Sequence, residues 1–501
     1  MRLSSILPQS VSLPPAADVE FSRLTLDSRQ AEPGAVFVAL QGAQVDGRKF
    51  IADVIAKKVA AVLIEQGKSD DLLNWEQQVP IIAVPDLRVQ LGEIAARFYG
   101  LPAAHMKMFG VTGTNGKTST THFLAQALQR LHVPCGIIGT LGNGLVGALG
   151  EPGLTTPDAV TLQATLQQFY QHGAKAVAME VSSHSIEQSR VKGVAFAAGI
   201  FTNLTQDHLD YHGTMAAYAA VKKRFLTDYP IKDLIINVDD HYGRDWINEL
   251  SHRPSVFAYS LQRVALPRTV PHIYAESVQL SLSGIRAQIV TPWGSGQLAV
   301  PLIGQFNLSN VLAVLSALCL QEIPFAQVLQ ILSQLTAVPG RMQVSGGGEQ
   351  PLVVVDYSHT PDALQNALQA LRKHTSGKLI CVFGCGGNRD AGKRPLMAGI
   401  AEALADQVIV TNDNPRHEAP EEIARQIQQG FTHPERVSVI LDRSKAIEKS
   451  IQCASAHDCI LIAGKGAEQY QQIGDQKHPF DDSAEVSRYL KMTVKELHGD
   501  R

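Results

Sequence analysis

The stretch GVTGTNGKTSTT, residues 110–121, decides the fold of this chain. Gly116, Lys117 and Thr118 match the end of the phosphate-loop pattern G-x-x-x-x-G-K-[ST], whereas Val111 occupies the position of its first glycine. The apolar run MKMFGV precedes the loop, and apolar residues recur at helical spacing after it. Strand, glycine-rich loop and helix together predict a nucleotide-binding site in an α/β protein, in preference to a chance G-K-T in a turn.

The chemistry of this loop follows from its residue types. Backbone N–H groups and the positive helix N-terminus would hold phosphate oxygens. Lys117 would neutralise the β- and γ-phosphates, and the Thr118 hydroxyl would bind Mg²⁺. The loop alone does not say what the nucleotide is used for.

Composition narrows the class of protein. The 501 residues are 45% hydrophobic and 18% charged, which predicts a soluble globular chain of two to four domains. The net charge of −3 gives no broad case for nucleic-acid binding. The six cysteines form no C-x-x-C zinc pairs, and buried free thiols at Cys381 and Cys385 fit a reducing cytoplasm. We expect no signal peptide and no membrane span, and VLAVLSALCL (311–320) predicts a buried helix.

The apolar runs predict three domains. Residues 1–88 contain short strands such as VFVAL and PIIAV, and indicate a small α/β domain. Residues 89–337 alternate strands (GIIGT, AVAMEV, AAGIFT, LIINV) with helices, which predicts a mainly parallel sheet, with antiparallel strands added in 253–303. Residues 338–501 start a second strand–helix series with LVVVDY, KLICVFG, QVIVTND, VSVILD and CILIAGKG.

Polar clusters follow the predicted strands throughout. TGTNGKT, EVSSH and TNLTQDH do so in the central region, and DYSHTPD, GCGGNRDAGKRP, TNDNPRHE and AGKGAE do so in the last third. Ligands of open parallel sheets bind outside the carboxyl ends of the strands. We therefore expect a ligand cleft between two domains, and domain closure around it during the reaction.

Glu180 and the segment TNLTQDHLDYHG (202–213) are candidate metal sites. Glu180 ends a strand, so its carboxylate would bind Mg²⁺ beside the phosphate loop; the alternative is a solvated or capping glutamate. His208 and His212 have the i, i+4 spacing of a zinc site, but the glutamate of H-E-x-x-H is absent. Spacing alone leaves open whether an imidazole supports a Mg²⁺ site or the cluster only starts a helix.

Three further positions remain open on residue type alone. Lys222 lies in a helical stretch, where a lysine usually faces solvent, and nothing local distinguishes it from Lys223. Asn307 and Asn310 start an apolar helix, where capping is the default, although Asn307 could instead contact an adenine.

Arg389 and Arg416 lie on different strand-end loops of the last third. Arginine forks match carboxylates, so this pair predicts a substrate that bears a carboxylate. The alternative is that both arginines form surface salt bridges.

Taken in order, the motifs resemble the Mur ligase family over nearly the whole chain. TGTNGKT, EVSSH, TNLTQDHLDYHG, GQFNLSN, PGRM, DYSHTPD and DNPR carry the resemblance. It implies an N-terminal UDP-substrate domain, a central ATPase domain and a C-terminal Rossmann-like domain. It also implies an ATP- and Mg²⁺-dependent, amide-forming ligase of peptidoglycan precursor synthesis, and so a place in cell-wall biogenesis, cell shape and division. Folylpolyglutamate synthetase is a more distant relative, disfavoured by the long N-terminal domain and by DNPR.

The resemblance also assigns site residues. It places ATP at Gly113, Thr114, Asn115, Gly116, Lys117, Thr118, Ser119, Asn307, Arg341 and Asp356. It places the UDP-N-acetylmuramoyl-dipeptide at Ser28, Thr155, Thr156, Asp158, Ser183, Gln188 and Arg190, and the incoming amino acid at Arg389, Asp413, Asn414, Arg416, Gly464 and Glu468. Lys117, Glu180, His208 and Lys222 would be catalytic; Thr118, Glu180, His208 and Lys222, the last carbamylated by CO₂, would hold metal.

The DNPR motif indicates which amino acid is added. In the family it accompanies meso-2,6-diaminopimelate, which is lysine with a further carboxylate at its distal end. Arg416 would bind that carboxylate with a charge-assisted fork, and lysine would leave this arginine unpaired. One departure is Ala467 in GKGAE, where the family often has histidine.

Two alternative functions, a switch or motor and an inactive binding protein, make different predictions. A phosphate-loop switch or motor would hydrolyse ATP without an acceptor amine, and it leaves the C-terminal arginine loops unexplained. An inactive binding relative is disfavoured by the intact Lys117, Thr118, Glu180, His208 and Lys222. A monomer is the default expectation for the quaternary state.

Overall fold

The computed structural model describes residues 1–42, 45–67, 72–151, 153–253 and 255–498, with side chains up to residue 492. It forms three main β-sheets, each flanked by helices, and one separate hairpin. The sheets are mostly parallel, which confirms the predicted three-part α/β fold. The exact boundaries at 88/89 and 337/338 stay a prediction.

The first sheet is buried on both faces apart from its edge strand β4. Its strand order is β1-β2-β3-β5-β4, and only β4 runs antiparallel to its neighbour. Continuous apolar runs suit such a sheet, because helices and loops cover both of its faces. Its elements are β1 (Arg23–Thr25), β2 (Ala35–Ala39), α1 (Ile51–Ala56), β3 (Ala61–Glu65), β4 (Leu73–Glu76), β5 (Val79–Val84) and α2 (Leu87–Phe98).

The second sheet carries the phosphate loop. Its order is β16-β15-β14-β13-β12-β11-β6-β10-β7-β8-β9, and β6 pairs in parallel with β10 from Lys107↔Ala176 to Val111↔Glu180. All four predicted strands are confirmed, as are antiparallel strands within 253–303. The strands are β6 (Lys107–Thr112), β7 (Cys135–Gly139), β8 (Gly142–Leu145), β9 (Ala148–Leu149), β10 (Ala176–Glu180), β11 (Phe196–Phe201), β12 (Ile231–Asn237), β13 (Val256–Ser260), β14 (His272–Ser281), β15 (Gly284–Thr291) and β16 (Gly294–Val300).

Helices connect these strands, as the predicted alternation requires. The run 311–320 is confirmed as a buried helix, since it forms most of α9 and is almost wholly inaccessible. The helices are α3 (Lys117–Arg130), α4 (Ala159–Gln171), α5 (Ser183–Glu187), α6 (Leu209–His212), α7 (Met215–Thr227), α8 (His241–Leu250), α9 (Gln305–Leu320) and α10 (Phe325–Leu332).

The third sheet has the order β17-β18-β22-β19-β20-β21, with β17 antiparallel and the rest parallel. Two apolar cores cover its faces, and Cys381 and Cys385 are buried free thiols, as predicted. Its elements are β17 (Gln343–Gly346), β18 (Leu352–Asp356), α11 (Pro361–Arg372), β19 (Leu379–Phe383), α12 (Lys393–Leu404), β20 (Gln407–Val410), α13 (Pro420–Gln428), β21 (Val437–Val439), α14 (Arg443–Gln452), β22 (Cys459–Ala463) and α15 (Asp482–His498). The hairpin is β23 (Tyr470–Ile473) and β24 (Gln476–Pro479).

Chain contacts define two compact units. The first comprises residues 1–112, 128–200 and 221–234, and the second comprises 113–127, 201–220 and 235–501. The phosphate loop therefore belongs to the second unit, whereas Glu180 and Lys222 belong to the first. Within the described residues, no helix combines the length and the apolar composition that a membrane crossing requires.

Candidate active site

The phosphate loop has the backbone that its glycines permit. Gly113 and Gly116 have φ values of +147° and +85°, in the region that favours glycine. A Cβ atom on Gly113 would lie 1.9 Å from the Thr202 hydroxyl. Lys117 follows at the start of α3, and its ammonium donates to the carbonyls of Gly113 (2.9 Å) and Thr114 (2.8 Å). The lysine is thus held over its own loop.

The segment after β11 braces this loop. The Asn203 side chain accepts a hydrogen bond from the backbone N–H of Asn115 at 2.9 Å, and the Thr202 hydroxyl donates to the Asn115 carbonyl at 2.6 Å. The Tyr218 hydroxyl lies 3.2 Å from that of Thr114. These bonds join the phosphate loop to the segment after β11 and to α7.

Residues of the last third also reach the loop. Arg341 donates from Nη2 to the Thr118 hydroxyl at 3.1 Å, and its guanidinium lies 4.1 Å from the centre of the Tyr357 ring. Asp356 is buried and accepts from the backbone N–H of Met342 at 2.7 Å. Burial raises the pKa of Asp356. The structure therefore brings Arg341 to the loop residue Thr118, with Asp356 bonded to the residue that follows the arginine.

Two polar contacts near the loop lie outside the predicted site. Asp362 accepts from Nδ2 of the Asn115 side chain at 2.9 Å, and the Thr360 hydroxyl donates to Oδ1 of the same side chain at 3.4 Å. Both residues belong to the quoted motif DYSHTPD, but their type alone gave no reason to single them out.

The capping expectation for α9 is wrong. Its N-cap is Gly304, and no side chain caps this helix. Asn307 is buried and donates instead to the Ile303 carbonyl at 2.8 Å, while Asn310 donates to the Asn307 oxygen at 3.3 Å.

Asp207 is the centre of a charged cluster that the sequence did not assign. Its buried carboxylate lies 3.4 Å from His208 Nε2, 3.7 Å from His359 Nε2 and 3.8 Å from Lys393 Nζ. Burial alone would raise the pKa of Asp207, but these partners hold it well below its usual value. The cluster joins the TNLTQDH segment to the loops DYSHTPD and GGNRDAGK.

His208 and His212 take different roles in the structure. His208 precedes α6 with φ of +55° and makes no side-chain cap bond, whereas the His212 ring stacks on Tyr218 at 5.0 Å. The described residues contain no group of three or more His, Cys, Asp or Glu side chains that could hold a metal.

Arg389 and Arg416 form the pair predicted from their loops, and the salt-bridge alternative is wrong. Arg416 donates to the Gly387 carbonyl at 2.9 Å and Arg389 to the Asn388 carbonyl at 3.2 Å. Among the described residues, no carboxylate oxygen lies within 4.0 Å of either guanidinium. Burial and the charge of Arg389 lower the pKa of Arg416. The carboxylates of Asp413 and Glu468 act on the pKa of Arg416 in the opposite sense, but neither forms a salt bridge with this arginine, so the two guanidiniums are suited to an anionic ligand.

The other predicted amino-acid contacts lie on adjacent loops. The Asn414 side chain donates to Glu468 at 2.8 Å. A Cβ atom on Gly464, whose φ is +118°, would lie 2.6 Å from an Asp413 carboxylate oxygen, so only glycine leaves room for that carboxylate. Lys465, which the sequence did not single out, contacts both Asn414 and Glu468 at 3.0 Å.

The first unit contains the residues assigned to the UDP substrate and also Glu180, which was assigned to the metal. Glu180 is 1% exposed, so the solvated alternative is wrong, and its carboxylate accepts from the Thr140 backbone N–H at 2.9 Å. The Thr156 hydroxyl donates to the backbone carbonyl of Glu180 at 2.7 Å. The Thr156 backbone carbonyl accepts from the Arg190 guanidinium at 2.8 Å. Gln188 accepts from Arg190 at 2.7 Å.

The remaining assigned residues of this unit lie at the ends of elements. Asp158 caps α4 by accepting hydrogen bonds from the N–H groups of Val160 and Thr161. The hydroxyl oxygens of Thr155 and Thr140 lie 3.2 Å apart. Ser183 is the buried first residue of α5. Ser28 begins a short 3₁₀ turn, where its carbonyl accepts from Lys57 at 2.7 Å.

The structure distinguishes Lys222 from Lys223. Lys222 is 1% exposed, whereas Lys223 is half-buried. The usual solvent-facing position of a helical lysine is therefore wrong for Lys222.

Sequence models of Mur ligase domains match three consecutive parts of the chain: the Mur ligase family catalytic domain at 20–99, the middle domain at 111–318, and the glutamate ligase domain at 340–466. The UDP-N-acetylmuramoyl-L-alanyl-D-glutamate–2,6-diaminopimelate ligase of Coxiella burnetii is 48% identical over 95% of this chain and 96% of its own length. The chain belongs to the Mur ligase family. The family resemblance predicted from the motifs is thus confirmed, and the chain is an ATP-dependent ligase of this type.

Other relatives and solved structures agree with this membership. The ligase of the same name from Pseudomonas aeruginosa is 47% identical over 98% of both chains. A solved structure of a ligase of that name is 35% identical, with a TM-score of 0.69 and 99% coverage of both chains. Folylpolyglutamate synthase of Mycobacterium tuberculosis, with 18% identity, a TM-score of 0.62 and coverage of 76% of this chain and 92% of its own, shares the fold.

Proposed function

We propose that this Mur ligase joins meso-2,6-diaminopimelate to UDP-N-acetylmuramoyl-L-alanyl-D-glutamate at the expense of ATP. The observation that carries the choice of amino acid is the pair Arg389 and Arg416, neighbouring guanidiniums with no carboxylate partner among the described residues. A distal carboxylate on the incoming amino acid would satisfy them. The names of relatives 46–48% identical over most of the chain support the same substrates.

The chemistry begins with activation of the D-glutamyl carboxylate. A free carboxylate does not form an amide, because its leaving group would be oxide. The γ-phosphoryl group is transferred to a carboxylate oxygen, which gives an acyl phosphate and ADP. The neutral amine of diaminopimelate then attacks the carbonyl carbon, and the tetrahedral intermediate collapses to the amide and inorganic phosphate. Lys117 neutralises charge as two anionic groups approach each other.

The donor atoms assigned to Mg²⁺ suit that ion. The Thr118 hydroxyl and the Glu180 carboxylate are oxygen ligands, which hard cations prefer, and His208 adds an imidazole. Because Mg²⁺ usually takes several ligands from water and substrate phosphates, it needs no closed cluster of protein side chains. When bound, it would neutralise charge on the transferring phosphoryl group.

Carbamylation of Lys222 is part of the proposal. The ammonium, which is costly to bury, first loses a proton; the neutral amine then forms an N–C bond with CO₂ and releases a second proton, which leaves an anionic carbamate that can act as an oxygen ligand or organise the metal site. The burial of Lys222 and the greater exposure of Lys223 support this choice. Lys222→Ala should abolish ligation, whereas Lys223→Ala should retain it. Activity that falls on removal of CO₂ and returns with bicarbonate would support the carbamate, and equal activity of both variants would contradict it.

The cellular setting follows from the reaction. Peptidoglycan precursors bearing UDP are made in the cytoplasm, so we place the enzyme there, as a monomer serving cell-wall synthesis, cell shape and division. The boundaries 1–88, 89–337 and 338–501 are proposed for its three domains.

The first test is phosphate release by the purified protein. The assay contains ATP, Mg²⁺ and UDP-N-acetylmuramoyl-L-alanyl-D-glutamate, with meso-diaminopimelate or L-lysine in parallel. Release only with diaminopimelate, and a product heavier by that residue, are expected. Release with lysine would keep the ligase and overturn the role of Arg416. Release without any amine would indicate a switch or motor instead.

A further inference from the structure

Lys465 is a buried cation in the loop that carries two of the proposed amino-acid contacts. The residue is 0% exposed, although it lies between Gly464 and Glu468 at the end of β22. A buried ammonium is costly unless hydrogen-bond acceptors surround it. Among the described residues, Lys465 meets this requirement through two side chains, Asn414 and Glu468, each 3.0 Å from Nζ.

These three side chains form a closed triangle. Asn414 donates through Nδ2 to Oε2 of Glu468 at 2.8 Å, and Lys465 donates to the same carboxylate oxygen. The Asn414 amide oxygen accepts from both Lys465 and the backbone N–H of Gln472 at 2.9 Å. The orientation of the amide is therefore set by its neighbours, and both donors bond one oxygen of the carboxylate.

The second oxygen of Glu468 is left for a ligand. Within the described part of the chain, the Glu468 carboxylate accepts two hydrogen bonds, and both are to Oε2. The Glu468 side chain is 22% exposed, so Oε1 can be reached from solvent. A carboxylate held at one oxygen and open at the other is suited to an ammonium group, which an amino acid carries.

We propose that Lys465 is a positioning residue for the incoming amino acid. It holds the Glu468 carboxylate so that Oε1 can accept a hydrogen bond from an ammonium group of that substrate. This inference rests on the proposed function, because it takes diaminopimelate as the ligand of the Glu468 loop. The alternative is that Lys465 only stabilises the fold.

Lys477 provides a matched control. Both lysines lie over the ring of Tyr470, Lys465 at 5.6 Å and Lys477 at 4.2 Å from its centre, but Lys477 is exposed on β24. The same replacement at the two positions therefore removes a cation from the same aromatic ring, and only one replacement breaks the triangle.

The experiment compares Lys465→Gln and Lys477→Gln by steady-state kinetics with each substrate varied in turn. Loss of a charged hydrogen bond to Glu468 should raise the KM for meso-diaminopimelate at least about tenfold in Lys465→Gln, with the KM for ATP within about twofold of the parent. Lys477→Gln should change neither. A purely structural role would lower the amount of active enzyme and leave the KM for diaminopimelate unchanged, and that result overturns the proposal, as does an equal rise in both KM values.

A second variant covers a failure to fold. If Lys465→Gln does not accumulate as folded protein, Lys465→Arg keeps a cation at this position but changes the geometry of its hydrogen bonds, and it should still raise the KM for diaminopimelate selectively; an unchanged KM for diaminopimelate overturns the proposal. A parent enzyme that makes no product with diaminopimelate would refute the proposed function instead, so the two failures are distinguishable.

Discussion

Replacing Arg416 by asparagine isolates the contribution of one guanidinium to amino-acid selection. Arg416 has φ of +52°, a conformation that asparagine adopts more readily than most residues, so Arg416→Asn adds little backbone strain. The backbone bonds of this residue, from its N–H to Gln472 and from Gly474 to its carbonyl, do not involve the side chain and should remain. The change therefore removes the fork and keeps the loop.

The size of the effect follows from the bond that is lost. The Arg416 guanidinium makes one hydrogen bond to protein, to the Gly387 carbonyl, and pairs with no carboxylate in the described residues. Its strongest bonds would thus be made to substrate. A hydrogen bond to a charged group contributes about 1.5–3 kcal/mol, which corresponds to about a 10- to 150-fold rise in the KM for diaminopimelate. Nucleotide binding does not use this arginine, so the KM for ATP should stay within about twofold of the parent.

The assay is phosphate release with diaminopimelate or ATP varied and the other substrates saturating. Arg436→Asn is the control, since Arg436 is exposed and its nearest carboxylate, on Glu435, lies 3.9 Å away. It should behave as the parent does. Equal KM values for diaminopimelate in Arg416→Asn and the parent would refute the assignment of the distal carboxylate to this arginine.

Three further predictions concern the loop and the stability of the fold. Gly113→Ala should weaken ATP binding at least about 100-fold in a titration of the nucleotide, because the new Cβ atom would lie 1.9 Å from the Thr202 hydroxyl. Gly147 also has a positive φ but has open space around it, so Gly147→Ala should leave ATP binding unchanged. Burial, with the charge of Arg341, lowers the pKa of His122 to about 4, so the unfolded chain binds a proton between about pH 6.5 and 4 that the folded chain does not. The free energy of unfolding should fall by up to about 3 kcal/mol as the pH drops through that window. In urea titrations, His122→Leu should reduce this pH dependence, whereas the same replacement at the exposed His172 should leave the pH dependence unchanged. Asp482→Asn should destabilise the protein by about 3–5 kcal/mol, measured by urea unfolding, since it breaks an ion pair in which both side chains are 0% exposed; unchanged stability would contradict that role.

Local sequence was sufficient for the elements and for the order of the loops. Apolar runs such as VFVAL and KLICVFG predicted the strands because burial on both faces of a parallel sheet requires continuous apolar residues. The glycine spacing in TGTNGKT predicted the loop, because Gly113 and Gly116 adopt positive φ values that favour glycine and because a Cβ atom on Gly113 would meet the Thr202 hydroxyl.

The roles of individual polar residues depended on tertiary structure. Lys222 and Lys223 are equivalent in the sequence, and only helix packing buries the first. The capping prediction for Asn307 failed, because the N-cap of the helix is Gly304 and the Asn307 amide donates to the Ile303 carbonyl instead of accepting from a backbone N–H. The partners of Asp207 come from loops about 150 and 185 residues further along the chain, a distance over which periodicity carries no information.

The sequence by itself thus determined the family, the three-sheet α/β fold and the presence of a nucleotide loop, because these are encoded by short-range patterns of apolar residues and glycine. Tertiary structure alone decided which charges are paired. Arg389 and Arg416 lack carboxylate partners among the described residues, whereas Lys465 is enclosed by Asn414 and Glu468. Pairing is a property of distances between loops, and the fold sets those distances after the local elements have formed.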